Sequence, residues 1–458
     1  MKIVILGAGQ VGSTVAAELA LEESNDITVV DRNPALLEQL AERLDIRTVL
    51  GNAAHPTVLA QAGGAEADMI VAVTDSDEVN MVACQVAFAQ WKTPTKIARI
   101  RAPEYLNTPE LFTQANVPVD ITISPEQLVT EYIQRLIQYP AALQVLDFAG
   151  GRVRMVAVRA RAGGALVGNQ LKVIREHVPD IETRVAALYR GGRPIIPHGD
   201  TVIVEGDEVF FIASKRDIRT VISELRKIER PVRRVFIAGG GHIGIRLAQA
   251  LENTYDVKLI ERDKRRASEI AEQLRRTIVL GADAADEDLL RAEGVAEVDV
   301  FCAVTNDEKT NILSALLAKK IGAAKVMAII NKPAFADLMQ GSAIDVAISP
   351  QQITISRLLQ HVRGGDIAAV HSLRRGAAEA IELVAHGTRE RSKVVEREVQ
   401  EIALPEGATI GAIVRGETVL MAHHDTVIRS NDHLIVFVLD RSHIHDVERL
   451  FEAAVDFG

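Results

Sequence analysis

The chain has 458 residues, of which 48% are hydrophobic and 25% charged, and its formal net charge is −10. That length calls for several domains, and that balance excludes a chain disordered throughout. The acidic sign speaks against wrapping nucleic acid, which needs a basic face to displace counterions.

The first apolar run, Ile3–Leu6, leads at once into Gly7, Gly9 and Gly12 at the spacing G-x-G-x-x-G, and then into the helical period Val11, Val15, Ala16, Leu19. No signal peptide is expected ahead of so early a strand. Further short apolar runs follow at Ile27–Val30, Thr48–Leu50, Met69–Val73 and Ile97–Ile100. Such runs, with helical stretches between them, predict βαβ units and a doubly wound, Rossmann-like parallel sheet. Ser124-Pro125 then reads as a helix N-cap followed by a first-turn proline. The helix that follows has an apolar face of Leu128, Val129, Ile133, Leu136 and Ile137, and should lead away from the sheet. A smaller, strand-rich segment comes next and closes with an amphipathic helix in "KRDIRTVISELRKI".

The chain then repeats itself. Gly239, Gly241 and Gly244 stand 232 residues after Gly7, Gly9 and Gly12. "VKLIERD" answers "ITVVDRN", "VLGAD" answers "VLGNA", and "DVAISPQQI" answers "DITISPEQL". In the small segments "HDTVIRSNDHLIVFVL" answers "GDTVIVEGDEVFFIAS". Gly168 is paired with Gly411, which implies an 18-residue segment present only in the first copy. The expected fold is α/β: tandem Rossmann-like doubly wound sheets, each followed by a small α+β domain. The expected domain limits are 1–124, 143–227, 232–349 and 368–455. Among at least 18 consecutive residues no run is apolar enough to cross a bilayer. Cys84 and Cys302 lie in apolar patterns and read as core thiols of a reducing cytosol.

A glycine turn of this kind brings backbone N–H groups and the positive end of a helix close to a pyrophosphate. The candidate contacts are therefore Gly7, Ala8, Gly9, Gln10, Val11 and Gly12, and in the second copy Gly239, Gly240, Gly241, His242, Ile243 and Gly244. Asp31 and Glu261 end the second strand of each copy, where a carboxylate grips the adenosine ribose diol. An acid there disfavours NADP and leaves NAD(H), ATP and ADP open. Thr74-Asp75 and, in the second copy, Thr305-Asn306 follow the fourth strand at the ligand-binding edge, either facing the ligand or capping the next helix. Arg99, on one strand face with Arg101, reaches either a phosphate or an ion-pair partner; Ala328 is placed opposite it in the second copy. The two sites should then differ.

Catalytic motifs are not evident: there is no G-x-S-x-G, H-E-x-x-H or Walker lysine, and the histidines of the small segments are scattered, with none shared between the copies. No catalytic residue and no metal site is expected. The alternative reading is an NAD-dependent oxidoreductase acting on an unidentified small molecule.

The stretches "MKIVILGAGQVG", "ADMIVAVT", "NMVACQVA", "IARIR", "GGGHIG", "NILSALLAKK", "AISPQQ" and "HSLRRGAAEAIE" resemble the TrkA family, regulatory subunits of bacterial Trk potassium-uptake systems. The resemblance covers the whole chain and implies two RCK domains, each a nucleotide-binding Rossmann part followed by a TrkA-C part. It implies a peripheral protein on the cytoplasmic face of the cell membrane, assembled as a homo-oligomeric ring, a tetramer, beneath a membrane-embedded TrkH/TrkG-like potassium transporter subunit. It also implies control of potassium flux by NAD(H) or ATP/ADP, without a reaction. The family's contacts fall on Gly7 through Val11, Asp31, Thr74, Asp75 and Arg99, and on Gly239 through Ile243 and Glu261.

Overall fold

The computed structural model describes residues 1–21, 25–226, 231–332, 335, 343–362, 367–373 and 378–451. The expected domain limits at 227 and 455 lie outside these. The chain divides into two compact units, Met1–Val129 with Pro350–Leu358, and Thr130–Ser349 with Leu359–Gly458.

In the first unit six strands form one parallel sheet: β1 (Lys2–Leu6), β2 (Asp26–Asp31), β3 (Arg47–Leu50), β4 (Met69–Ala72), β5 (Thr95–Arg99) and β6 (Ile121–Ile123). Their order is β3-β2-β1-β4-β5-β6. The central strand β1 pairs Ile3 with Ile27 on one side and with Met69 on the other. Its buried run needs apolar cover on both faces, which the intervening helices supply. The order reverses beside β1, so a crevice opens at the carboxyl ends of β1 and β4, where ligands of such sheets bind.

Residues Pro350–Leu358 also belong to this unit and open a second crossover helix, Pro350–Val362. Gln351 Nε2 donates to the carbonyl oxygen of Gln10 (2.8 Å) and to Thr14 Oγ1. The helix that follows the second sheet in sequence thus rests on the first sheet's glycine-loop helix.

The second unit repeats the large sheet as β12 (Arg234–Ala238), β13 (Asp256–Glu261), β14 (Ile278–Gly281), β15 (Val300–Ala303), β16 (Lys325–Ile329) and β17 (Val346–Ile348), in the order β14-β13-β12-β15-β16-β17. It also holds two antiparallel five-stranded sheets. One contains β7 (Ala142–Phe148), β8 (Val153–Arg159), β9 (Thr183–Arg190), β10 (Arg193–Ile195) and β11 (Glu208–Ser214). The other contains β18 (Ile367–Leu373), β19 (Ala378–Val384), β20 (Ala408–Arg415), β21 (Thr418–Met421) and β22 (His433–Val438). Phe148, Met155 and Phe210 share one buried core with Ile435, Phe437 and Met421, so the two small sheets cover each other. Arg184 crosses this contact and donates to the carbonyls of Ile410 (3.2 Å) and Ala422.

Three sequence-based expectations need correction. The small copies differ by no 18-residue insert, because Gly168 corresponds to Glu396 and not to Gly411. Gly168 and Glu396 both take positive φ (87° and 57°), and their N–H groups donate to Ile203 and Ile428 in the same loop. A histidine is shared between the copies: the N–H groups of His198 and His423 donate to Thr201 Oγ1 and Thr426 Oγ1 at one turn. Finally, strand register sets Ala98 beside Ala72 and Ala328 beside Ala303, so Ile329, not Ala328, stands where the first copy has Arg99.

Candidate functional site

Each glycine of the first loop has its own reason. Gly7 has φ +107°, and a Cβ there would lie 3.1 Å from the Thr74 backbone. A Cβ on Gly12 would overlap the carbonyl oxygen of Gly7, so only hydrogen allows the helix to pack on the strand. Gly9 differs from both: a Cβ would meet nothing within 4 Å, since it faces the open cleft. It caps the helix Gln10–Leu19 with no side-chain hydrogen bond, so the helix's first N–H groups and the positive end of its dipole face that space.

Asp31 ends β2 with its carboxylate against this loop. Its Oδ2 accepts the N–H of Ala8 (2.6 Å) and its Oδ1 that of Asn33 (2.8 Å). A carboxylate has about four lone-pair positions, so acceptors remain for a ribose diol. The cleft measures about 640 Å³ and is lined by Gly7, Gly9, Gln10, Val11, Asp31, Thr74, Asp75 and Arg99 among others. Its size suits a nucleotide. Of the sequence candidates, Ala8 and Gly12 do not line it; they shape it from behind.

On the opposite wall Ser76, one residue beyond the expected pair, caps the helix Asp77–Trp91 by accepting the N–H of Val79 (3.2 Å). Thr74 is instead tied to the buried Asn80, whose Oδ1 accepts the Thr74 N–H (3.0 Å) and hydroxyl (2.7 Å). Asn80 Nδ2 donates to the Arg99 carbonyl (2.9 Å), locking two walls of the cleft together. Asn311 repeats the device, linking Thr305 to the carbonyl of Ile329 (3.1 Å). Asn80→Ala leaves a buried donor and a buried acceptor unpaired, and is expected to lower stability by about 2–3 kcal/mol in urea unfolding.

Arg99 is largely buried, and its Nη2 lies 3.7 Å from Glu126 Oε1, in the first turn of the crossover helix Pro125–Gln138. Burial lowers its pKa, the Glu126 carboxylate opposes that shift, and the guanidinium stays charged. Its Nε has no hydrogen-bond acceptor among the described residues. Arg101 serves the loop instead, donating from Nη2 to the Asp75 carbonyl, and does not line the cleft.

The second cleft is smaller, about 470 Å³, and is lined by Gly239, Gly240, Gly241, His242 and Glu261; Ile243 and Gly244 lie behind it. Glu261 copies Asp31, accepting from the N–H groups of Gly240 (3.0 Å) and Asp263 (2.9 Å). A Cβ on Gly240 would press on the tip of Ile270 and come within 2.8 Å of Glu261 Oε2, so the alanine of the first loop would require both side chains to shift. Arg266 takes the place of Leu36 and donates to the Gly240 carbonyl through Nε (3.2 Å) and Nη2 (3.0 Å). The first cleft therefore has its extra cation at the β5 edge, and the second at the β13 edge. Sequence reasoning missed Arg32, Asn52, Arg262, Arg266 and Asp283, all cleft-lining. The signal was present, since "VLGNA" and "VLGAD" were visible as repeats at a carboxyl strand edge.

Both cysteines are fully buried, and burial pushes their thiols up to about 12, which leaves them inert. Among the described residues, no group of three His, Cys, Asp or Glu is placed to hold a metal, and no helix is long and apolar enough to cross a membrane.

Comparison with known proteins agrees with this architecture. Residues 3–125 and 235–350 match the TrkA-N domain model, and residues 155–226 and 389–452 match the TrkA-C domain model. The Trk system potassium uptake protein TrkA of Halomonas elongata is 58% identical over 457 residues, covering 100% of both chains. Its counterparts in Vibrio alginolyticus and Haemophilus influenzae are 57% and 48% identical, again over 100% of both chains. Among solved structures, the GsuK RCK domain superimposes with TM-score 0.60 at 18% identity, covering 98% of this chain and 94% of that one. A GsuK channel bound to NAD gives 0.61 at 18% identity, covering 98% and 78%. With both domain models matched twice and full-length relatives above half identity, the chain belongs to the TrkA family of Trk system potassium uptake proteins.

Proposed function

We propose that both clefts hold adenine nucleotides, NAD(H) or ATP/ADP, as signals and not as reactants. The chain would act as a homo-oligomeric ring, a tetramer, on the cytoplasmic face of the membrane, and would gate potassium flux through a TrkH/TrkG-like transporter subunit. The contacts proposed are those named from the sequence, within domain limits 1–124, 143–227, 232–349 and 368–455.

The observation that carries this reading is Gln351. It binds the carbonyl of Gln10 and the hydroxyl of Thr14 on the helix whose N-terminus faces the first cleft. Phosphate charge drawn to that N-terminus is then one hydrogen bond from the helix leading to the second small domain. A nucleotide biases such an arrangement only if it binds two states of the ring with different affinity.

Asp31→Ala is expected to weaken nucleotide binding in the first cleft by about 10–100-fold, the value of hydrogen bonds to a charged acceptor. Calorimetry of the variant checks this. Affinity equal to wild type would show that the ribose is held elsewhere.

A further inference from the structure

Lys325 opens β16 and lies inside the second unit with 6% of its surface exposed. Its Nζ donates to two carbonyl oxygens, Leu136 at 3.2 Å and Ala142 at 2.8 Å. The first belongs to the last turn of the crossover helix Pro125–Gln138, the second to the start of β7. One lysine of the second Rossmann sheet thus closes the end of the helix that enters the first small domain.

The surrounding charges are already engaged. Asp345 accepts from Lys319 Nζ (2.7 Å) and from the N–H of Val326 (2.8 Å). On the helix and β7 side, Asp147 lies 2.5 Å from Arg154 and 3.8 Å from Arg135, and Arg154 also donates to Tyr139 (2.7 Å). Arg226 and Lys319 repel a charge on Lys325, Asp345 attracts it, and the Cys302 thiol, at about 12, stays neutral. The arrangement is particular to this copy: register places Thr95 at the matching position of β5. The first copy's Asp120 is paired instead with the buried Lys96 (2.7 Å).

A neutral amine has two N–H bonds, and two carbonyls are there to take them. An ammonium adds a third proton and a charge that no carboxylate among the described residues contacts. We infer that Lys325 is a proton-operated joint between the second Rossmann sheet and the end of the first crossover helix, locked when neutral and loosened when protonated.

Burial brings the Lys325 ammonium down to about 7, against the ordinary 10.5 of an exposed lysine. Between those values an opened joint takes up a proton that the closed joint lacks. Closure therefore tightens as pH rises through this window, by at most about tenfold per pH unit. Below about 7 both forms carry the proton, and the dependence disappears. The joint touches neither cleft, so it stands or falls separately from the nucleotide reading.

The test is hydrogen–deuterium exchange of the full chain from acid to alkaline pH, read at residues 136–146 and corrected for intrinsic exchange, in wild type and Lys325→Met. Wild type should gain protection several-fold per pH unit above neutrality and stay flat below it, while Lys325→Met stays flat throughout. The same slope in both, or none in wild type, overturns the proposal. Because methionine alters the packing, ¹³C-lysine-labelled wild type is titrated by NMR in parallel. One lysine should titrate near neutrality; if all titrate at about 10 or above, the joint is not proton-operated.

Discussion

Gly9→Asp is expected to weaken the proposed nucleotide binding in the first cleft at least about 100-fold and to leave the fold intact. Position 9 has φ −66° and open space where a side chain would grow, so neither backbone strain nor a clash opposes the substitution. The new carboxylate would sit at a helix N-terminus, which attracts negative charge, and would occupy the position from which those N–H groups serve a phosphate. Lost charge-assisted hydrogen bonds and like-charge repulsion together should weaken binding by at least about 100-fold. Calorimetry reads the affinity, and the thermal midpoint, unchanged within a degree or so, shows that the fold has survived. Gly241→Asp should do the same in the second cleft, where only Asn306 Oδ1, at 3.9 Å, approaches.

Gly12→Ala gives the opposite outcome, from three residues away in the same motif. Its added carbon collides with the backbone carbonyl of Gly7, which no side-chain rotation relieves, so helix and strand must part. The expected loss is about 3 kcal/mol or more, at the upper end of overpacking penalties. In the second unit Gly244→Ala meets the carbonyl of Gly239 in the same way. Urea unfolding measures the loss. A variant as stable as wild type would mean that the third glycine is not there for packing.

The contrast marks what sequence can and cannot carry. The motif spacing announced a cradle, but only the helix's approach to the strand separates the open Gly9 from the crowded Gly12. The buried strands were legible because runs such as Ile3–Leu6 and Met69–Val73 are continuous and apolar. The strand β6 was not, because three residues, Ile121–Ile123, make too short a signal. Gly168 was paired with Gly411 because glycines attract alignment, although Glu396 takes the same left-handed backbone. Setting Ala328 opposite Arg99 put the two strands one residue out of register, while the strand pairing aligns Ala98 with Ala328. Nor does an amphipathic helix state which sheet it will cover, so the contact of Gln351 with the first glycine-loop helix had no sequence signature. Lys325 reads as the polar flank of an apolar strand; that it is buried follows only from the end of the crossover helix packed over it.

The most direct measurement of the central claim is a competition titration of NADH, NAD, ATP and ADP on wild type, Gly9→Asp and Gly241→Asp, with the bound ligand recovered afterwards. Two occupied sites are predicted in wild type, one in each variant, and every nucleotide returned chemically unchanged. Binding that ignores both substitutions, or a coenzyme consumed many times over, would contradict it.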